Sequence, residues 1–246
     1  MGVKVEMQGV SYSYESRGKP ALRNISLKME PGKCYAVLGP NASGKTTLLK
    51  IASLLYKPEQ GVVLYDGVDP WRTDTALHRR RAVYVHEKPV MLKGTVRDNI
   101  ALGLKLRGVS EKEADERIKA ITGILGLSSL LEKNAAGLSA GQKQLVAIAR
   151  AIVVDPDFLA LDEAFANLDA SRRMILADLI VELKNRGKTI ALATHDIGVA
   201  LSICDSAFYL EEGELKLEGS VDELLEKLYT PVKKGLASTL HSRVQH

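Results

Sequence analysis

The range of possible folds for this chain is restricted most by a short glycine-containing loop. The loop lies between an apolar run and a helical run. The loop fits the pattern G-x-x-x-x-G-K-[ST]. It consists of Gly39, Pro40, Asn41, Ala42, Ser43, Gly44, Lys45, Thr46 and Thr47. Residues 35–38 before it are apolar and β-prone, and residues 46–52 after it have helical character. A strand, a glycine loop and a helix in this order predict a P-loop α/β fold, whereas a chance glycine turn is disfavoured by these flanks.

The residue types in this loop suit a polyphosphate. Glycines let backbone N–H groups approach an oxyanion closely, and the positive end of the following helix adds to their field. We expect Lys45 to reach the β- and γ-phosphates and the Thr46 hydroxyl to hold Mg²⁺. The loop therefore predicts a nucleotide with its magnesium ion as the ligand.

Length, charge and cysteine content restrict the remaining classes. The 246 residues suffice for one large domain or two small ones, and no apolar run is as long as a membrane span. The N-terminus is not of the signal-peptide type. A net charge of only +4, with both signs interspersed, disfavours nucleic acid as a partner. Cys34 and Cys204 are far apart in the sequence and outside metal-ligand spacing, so we expect reduced, packed thiols in a cytosolic protein.

The patterns along the chain predict strands first, then helices, then an alternation of both. Strands are expected at residues 3–14, 25–29, 33–38, 61–65 and 82–85. Residues 95–154 have helical periodicity, including a capping box that begins at Ser110. After Asp155 we expect a strand at 158–161, a helix at 170–186, strands at 189–194, 207–210 and 214–217, and a helix capped by Ser220.

We therefore predict one α/β domain over residues 1–246, with a P-loop NTPase core, an N-terminal antiparallel β subdomain and an inserted helical subdomain. The core and β subdomain would comprise residues 1–87 and 155–230. The helical subdomain would comprise residues 88–154, and residues 231–246 would form a tail.

An apolar strand that ends in two carboxylates predicts the second part of the site. Residues 158–161 lead directly into Asp162 and Glu163. In a P-loop fold a neighbouring strand supplies an Asp for Mg²⁺, which fits Asp162, and Glu163 lies where a base could deprotonate an attacking water. Without the P-loop, the same pair would be better explained as an acidic turn exposed to solvent.

A third segment, residues 138–142, begins a predicted helix with Ser139, Ala140, Gly141 and Gln142 after a leucine. A serine and small residues at a helix N-terminus can bind an anion through backbone N–H groups and the helix dipole. Taken alone, the segment is better explained as an ordinary N-cap.

Together these motifs resemble those of ATP-binding cassette (ABC) proteins, over nearly the whole chain. The LSGGQ signature of that family matches residues 138–142, its D-loop matches residues 167–169, and its switch histidine matches His195. The aromatic residue that stacks on adenine matches Tyr14, with Tyr12 as a substitute and core packing as the alternative for Tyr14.

The resemblance implies a head-to-tail pair of cassettes with two ATP molecules between them. Each ATP would contact the P-loop of one subunit and the signature segment of the other. The resemblance implies that catalysis uses Lys45, Glu163 and His195, and that Mg²⁺ is bound by Thr46, Asp162 and Glu87. Beyond the P-loop, it implies that ATP is contacted by Tyr14, Glu87, Ser139, Ala140, Gly141, Gln142 and Asp169.

Four positions depart from the family pattern. Glu87 stands where the family usually has a glutamine, so we expect altered Mg²⁺ and water positioning but not loss of ATP binding. Ala140 replaces a glycine, which is mild if its φ is negative. Leu145 replaces a common arginine, and Ala164 replaces a proline.

The function that the resemblance implies is the ATPase subunit of an ABC transporter, peripheral on the cytoplasmic face of the membrane. A second cassette subunit and transmembrane permease subunits would be its partners, and a substrate-binding protein would be a further one. Residues 87–96 resemble importers of oxyanions such as tungstate, molybdate or phosphate, and Val90, Met91 and Leu92 would line a docking groove or pack in the core. The alternatives are an exporter subunit, a soluble ABC ATPase such as one for iron–sulfur assembly, and a cassette that binds ATP without hydrolysis.

Overall fold

The computed structural model describes residues 2–15 and 19–228. The elements in chain order are β1 (Val5–Tyr12), β2 (Leu22–Met29), β3 (Cys34–Leu38), α1 (Lys45–Ala52), β4 (Gln60–Tyr65), α2 (Thr75–Arg79), β5 (Ala82–Val85), α3 (Val96–Leu106), α4 (Glu111–Ile124), α5 (Ala140–Ile152), β6 (Phe158–Asp162), α6 (Ala170–Asn185), β7 (Thr189–Ala193), α7 (Ile197–Ile203), β8 (Ser206–Glu211) and β9 (Glu214–Gly219). Two short 3-10 helices lie between α4 and α5, and residues 221–228 are helical. The predicted tail at 231–246 lies outside the described residues.

A six-stranded sheet in the order β5-β6-β7-β3-β8-β9 positions the candidate site. The pairs from β5 to β8 are parallel, and β9 runs antiparallel to β8. Every residue of β3, β6 and β7 is buried, as expected for parallel strands covered on both faces. Because parallel strands end at one edge, the P-loop after β3 lies beside the carboxylates that end β6.

A three-stranded antiparallel sheet, in the order β2-β1-β4, forms the β subdomain. Its inward side chains join α1 and one face of the larger sheet in a single hydrophobic cluster, which includes Met7, Ile25, Leu48 and Phe158. The cluster fixes the antiparallel sheet and the start of α1 relative to the strands that carry the site. The predicted antiparallel subdomain is confirmed.

Three helices, α3, α4 and α5, are inserted between β5 and β6, which confirms the predicted α/β class with a helical insertion. Ile100 of α3, Ile118 of α4 and Leu145 of α5 share one hydrophobic cluster with Leu159 and Ile190 of the sheet. The insertion is therefore packed onto the second face of the sheet. This also accounts for Leu145, since an apolar side chain suits a position that is 2% exposed.

Two short helices were not predicted from the sequence. Helix α2 has five residues and α7 has seven, and each begins after an aspartate N-cap, Asp74 or Asp196. Both are too short to show helical periodicity. Among the described residues, no helix is both long and apolar enough to cross a membrane.

Candidate active site

The P-loop has a backbone shape that its glycines make possible. Gly39 has φ 142°, and a Cβ there would lie 2.1 Å from the carbonyl oxygen of Leu210. Gly44 has φ 106°, and a Cβ there would lie 2.6 Å from the carbonyl oxygen of Ala21. Side chains at these positions would push the loop off the elements that support it, so the two glycines determine the conformation of the loop.

Lys45 is the first residue of α1, and its side chain lies along the loop. Its ammonium group donates hydrogen bonds to the carbonyl oxygens of Gly39, at 2.8 Å, and of Pro40, at 2.9 Å. Burial lowers the pKa of Lys45, while the charges of Glu163 and Asp162 act in the opposite direction. The lysine ammonium is thus held against the backbone of the loop.

Asp162, at the end of β6, is 3% exposed and accepts two hydrogen bonds at one carboxylate oxygen. The Thr46 hydroxyl donates at 2.8 Å and the Tyr84 hydroxyl at 2.7 Å. Burial, followed by the hydrogen bond to Asp162, raises the pKa of Tyr84, so its phenol remains a proton donor.

The oxygen atoms of Thr46 and Asp162 form a hard donor set, which fits Mg²⁺. No group of three or more His, Cys, Asp or Glu side chains within residues 2–15 and 19–228 could hold a metal ion by itself. Proteins commonly bind Mg²⁺ through one or two carboxylates together with substrate phosphates and water.

Glu163 follows directly, with a left-handed backbone at φ 49°. Its N–H donates to the carbonyl oxygen of Ala193 on β7, which fixes this unusual turn. One carboxylate oxygen of Glu163 lies 2.9 Å from Nδ1 of His195. The Glu163 side chain is 17% exposed and that of His195 is 75% exposed, so the pair connects the sheet edge to the open cavity.

A cavity of about 1250 Å³ opens above the P-loop and contains most of the predicted site residues. The predicted residues that line it are Tyr14, Pro40, Asn41, Ala42, Ser43, Gly44, Lys45, Thr46, Thr47, Glu87, Asp162, Glu163 and His195. Gly39 lies at the base of the loop. The cavity is large enough for a nucleoside triphosphate.

Tyr14 lies at the rim of the cavity and is 58% exposed, so the core-packing alternative for Tyr14 is wrong. Its hydroxyl is 3.1 Å from that of Thr47, and its ring meets the ring of Tyr12 edge-on. Tyr12 instead stacks on Tyr56 and packs against the core. Of the two aromatic candidates, Tyr14 is the one that presents a ring to the cavity.

The signature residues lie outside this cavity. Ser139 accepts a hydrogen bond from the N–H of Gln142, whose side chain accepts one from the N–H of Ser139, forming a capping box at the start of α5. A Cβ at Gly141 would lie 2.6 Å from the carbonyl oxygen of Asn167, so the signature packs against the D-loop. Asp169 caps α6, and Ala140 has no positive φ, which meets the condition for a mild replacement.

The sequence analysis missed one contact to Asp162 and several residues that line the cavity. Tyr84 was noted only as part of a strand, yet it contacts Asp162 because β5 and β6 are neighbours in the sheet. The cavity is also lined by Lys19, Pro20, Ala21, Ala166, Glu211 and Glu212. Glu211 and Glu212 fall between the strands predicted at 207–210 and 214–217, and no local signal linked this turn to the P-loop.

The fold and the cavity together define a P-loop nucleoside triphosphatase. Residues 22–166 match the family model described as ABC transporter. The chain therefore belongs to the ABC transporter family, as an ATP-binding cassette with ATPase activity.

Individual relatives agree with this assignment. An ABC transporter ATP-binding protein of Pyrococcus furiosus is 40% identical over 224 residues, covering 90% of this chain and 85% of that protein. A molybdate/tungstate import ATP-binding protein of Pyrococcus abyssi is 37% identical over 221 residues, covering 89% of this chain and 63% of that protein. A dimeric bacterial ABC transporter cassette of known structure has a TM-score of 0.80 and 28% identity, covering 88% of this chain and 98% of that one.

Proposed function

We propose that this chain is the ATP-hydrolysing subunit of an importer, and that it works as one half of an ATP-sandwich pair attached to separate membrane subunits. The observation that carries the hydrolytic part is the arrangement at the ends of β6 and β7. There Asp162 contacts Thr46 of the P-loop, while Glu163 contacts His195.

Each of these residues has a chemical task in the proposed reaction. The P-loop amides and Lys45 bind the phosphates of ATP. Thr46 and Asp162 would hold a magnesium ion, which would offset negative charge on the phosphates. Glu163 accepts a proton from the attacking water. His195 orients the Glu163 carboxylate through Nδ1 and leaves Nε2 free to face the γ-phosphate.

The position of the signature supports the sandwich. Ser139, Ala140, Gly141, Gln142 and Asp169 are outside the cavity of their own chain. The Ser139 hydroxyl and the first N–H groups of α5 are at a helix N-terminus, where an anion is favoured. A second cassette, either an identical copy or a paralogue, would bring this end onto the ATP held by the first, as the dimeric structural relative suggests.

Attachment to membrane subunits is supported by a second concave surface. It has a volume of about 430 Å³ and is lined by residues of β5, of the segment after it and of α5, including Pro89, Val90 and Ala147. Val90 is 73% exposed and Leu92 is 43% exposed, whereas Met91 packs partly against the core. Exposed apolar side chains beside a groove suit a helix from a permease subunit on the cytoplasmic face of the membrane.

The direction of transport and the substrate class are the most specific parts of the proposal. They rest on the molybdate/tungstate importer relative and on residues 87–96, so we propose a tetrahedral oxyanion as the substrate, delivered by a substrate-binding protein. The test is to reconstitute the cassette in lipid vesicles with permease subunits that co-purify with it. ATP-driven uptake of tungstate or molybdate is expected, and uptake of neither, or movement in the opposite direction, would overturn the importer assignment.

The hydrolytic part is tested separately with Glu163→Gln. We expect ATP hydrolysis to fall by about 10²- to 10⁴-fold, the usual contribution of a positioned base, while ATP binding is retained. Glu116→Gln, an exposed change on α4 away from the cavity, is the matched control and should hydrolyse ATP like the unmodified chain. Unchanged hydrolysis in Glu163→Gln would contradict the role of this residue.

A further inference from the structure

The fold brings together the two cysteines of the chain, which are 170 positions apart. Cys34 is the first residue of β3 and is buried, and Cys204 follows α7 and is partly exposed. Both are free thiols, and their sulfur atoms are 3.2 Å apart. Neither residue lines the nucleotide cavity or has a task in the proposed hydrolysis.

The backbones around the two sulfurs are held to each other. The N–H of Cys34 donates to a carboxylate oxygen of Asp205 at 2.8 Å, and the N–H of Asp205 donates to the carbonyl oxygen of Cys34 at 2.8 Å. Lys184 pairs with the other carboxylate oxygen of Asp205 at 3.0 Å. Because both segments are fixed, a bond of about 2.05 Å requires only a small side-chain movement of each sulfur.

We propose that Cys34 and Cys204 are a reversible oxidation site, at which a disulfide joins the strand leading into the P-loop to the helix that follows His195. The oxidant is a low-molecular-weight disulfide. The Cys204 thiolate attacks one of its sulfur atoms, the reagent S–S bond breaks, and one reagent thiolate leaves. The Cys34 thiolate then attacks Sγ of Cys204 and releases the second, so two electrons pass from the cysteines to the reagent and two protons are released to solvent.

The surroundings of the two thiols set the order of these steps. Cys204 is the more exposed of the two residues, so the reagent reacts there first. The hydrogen bond with Cys204, followed by burial, raises the pKa of Cys34, so Cys34 stays protonated and unreactive until a mixed disulfide forms beside it. Cys34 therefore acts as the resolving thiol.

The consequence of the bond is a long covalent loop through the core. It encloses 170 residue steps, so it strongly restricts the unfolded chain, and we expect the melting temperature to rise by roughly 10 °C. Because the cavity lies at the opposite end of β3, nucleotide affinity should change by less than about twofold.

The experiment treats the full reduced chain with glutathione disulfide and then removes the reagent. We expect both thiols to disappear without added glutathione mass, a peptide containing Cys34 bonded to Cys204, a higher melting temperature, and full reversal by a dithiol reductant. Cys204→Ser should remain unreactive under the same conditions, and Cys34→Ala should stop at a glutathione adduct on Cys204.

Two results would overturn the inference. One is a folded chain that yields no cross-linked peptide, whether it stays unmodified or stops at an adduct on Cys204. The other is a cross-linked chain with an unchanged melting temperature. Neither result depends on ATP hydrolysis, and so each is distinct from a failure of the proposed transport function.

Discussion

At the scale of single residues, Asp162 is oriented from two sides. Thr46 reaches it from the P-loop and Tyr84 from the neighbouring strand, and both hydroxyls donate to the same carboxylate oxygen. Asp162 also lines the cavity. Because Tyr84 contacts Asp162 but does not line the cavity, we expect it to position the carboxylate from outside the cavity. It would keep the carboxylate in place if Thr46 turned toward a metal ion.

Replacing Tyr84 by phenylalanine should weaken the use of Mg²⁺. A hydrogen bond to a charged group contributes about 1.5–3 kcal/mol, so we expect the Mg²⁺ concentration for half-maximal hydrolysis to rise by about tenfold or more. Since the pKa of Tyr84 is raised above its ordinary value of 10.0, the phenol stays a donor at neutral pH, and the defect should be the same throughout the neutral range.

The control for this prediction is Tyr35→Phe. It also removes a hydroxyl from a buried tyrosine, one that accepts a hydrogen bond from the N–H of Glu30 far from the cavity. It should lower stability and leave the Mg²⁺ dependence unchanged. Equal Mg²⁺ dependence of Tyr84→Phe and the unmodified chain would refute the positioning role.

Glu87 is an exposed carboxylate on the cavity wall, where the family usually has a neutral amide. Glu87→Gln should increase ATP affinity and change the Mg²⁺ dependence, each by up to about fivefold. The reason is that two unit charges 4 Å apart in water interact with an energy of about 1 kcal/mol. A magnesium titration of the hydrolysis rate measures this. Glu212→Gln removes the same charge elsewhere on the cavity wall and separates a local effect from general repulsion; identical curves for Glu87→Gln and the unmodified chain would contradict the expectation.

Motifs made the P-loop and the two carboxylates predictable, since each needs only a few adjacent residues in a recognisable order. Tyr84 and the cysteine pair were not predictable in this way. Their partners are 78 and 170 positions away, and sequence periodicity carries no information on which distant strand or helix becomes a neighbour. A tyrosine is also an ordinary residue in a strand, so nothing in the sequence indicated that the Tyr84 hydroxyl contacts the site.

At the scale of elements, the turn between β8 and β9 supports the P-loop. The N–H of Gly213 donates to the carbonyl oxygen of Ser43 at 3.1 Å, and the N–H of Arg23 donates to the carbonyl oxygen of Gly213 at 2.7 Å. Gly213 has φ 81°, and a Cβ there would lie 2.9 Å from the carbonyl oxygen of Ala21. A side chain at this position would therefore displace both the turn and the loop that it supports.

Gly213→Ala tests this support, with Gly67→Ala as a matched control. Gly67 also has φ 81°, but nothing lies within 4 Å of its Cβ position. Both changes should lower the free energy of unfolding by about 1–2 kcal/mol, because each places an alanine in a left-handed conformation. Only Gly213→Ala should lower it further, by about 3 kcal/mol in total, and should also bind ATP several-fold more weakly. Urea unfolding and nucleotide titration measure the two effects, and equal losses in both variants would argue against a support role.

Helices with long periodic patterns were predicted well, whereas the two short helices α2 and α7 were not. The helices from α3 to α6 bury a stripe against one large cluster, so their apolar spacing was visible in the sequence. Helix α7 has only seven residues and two buried ones, Ala200 and Ile203. Its position is set by the aspartate cap and by packing against α6. A seven-residue sequence pattern does not reveal that packing.

At the scale of the whole molecule, the two halves of the predicted ATP site are on separate surfaces. The P-loop, Asp162 and Glu163 line one cavity, while Ser139 caps α5 and does not line it. The large cluster that packs α5 onto the sheet fixes this separation, since moving Ser139 to the P-loop would require disrupting that core. The closed site that we propose therefore needs a second chain, and no pattern within one sequence can show this directly.

Mixing two inactive variants tests this shared site. Lys45→Ala removes the lysine of one half, and Ser139→Arg places a long cation at the other half; each should hydrolyse ATP poorly as a pure protein. In an equimolar mixture, half of the pairs combine the two variants and contain one intact site, so about one quarter of the normal activity should return. A mixture of Lys45→Ala with Lys45→Arg has no intact P-loop and is the control. If activity fails to return in the first mixture, or returns equally in both, the two halves of the site do not come from different chains.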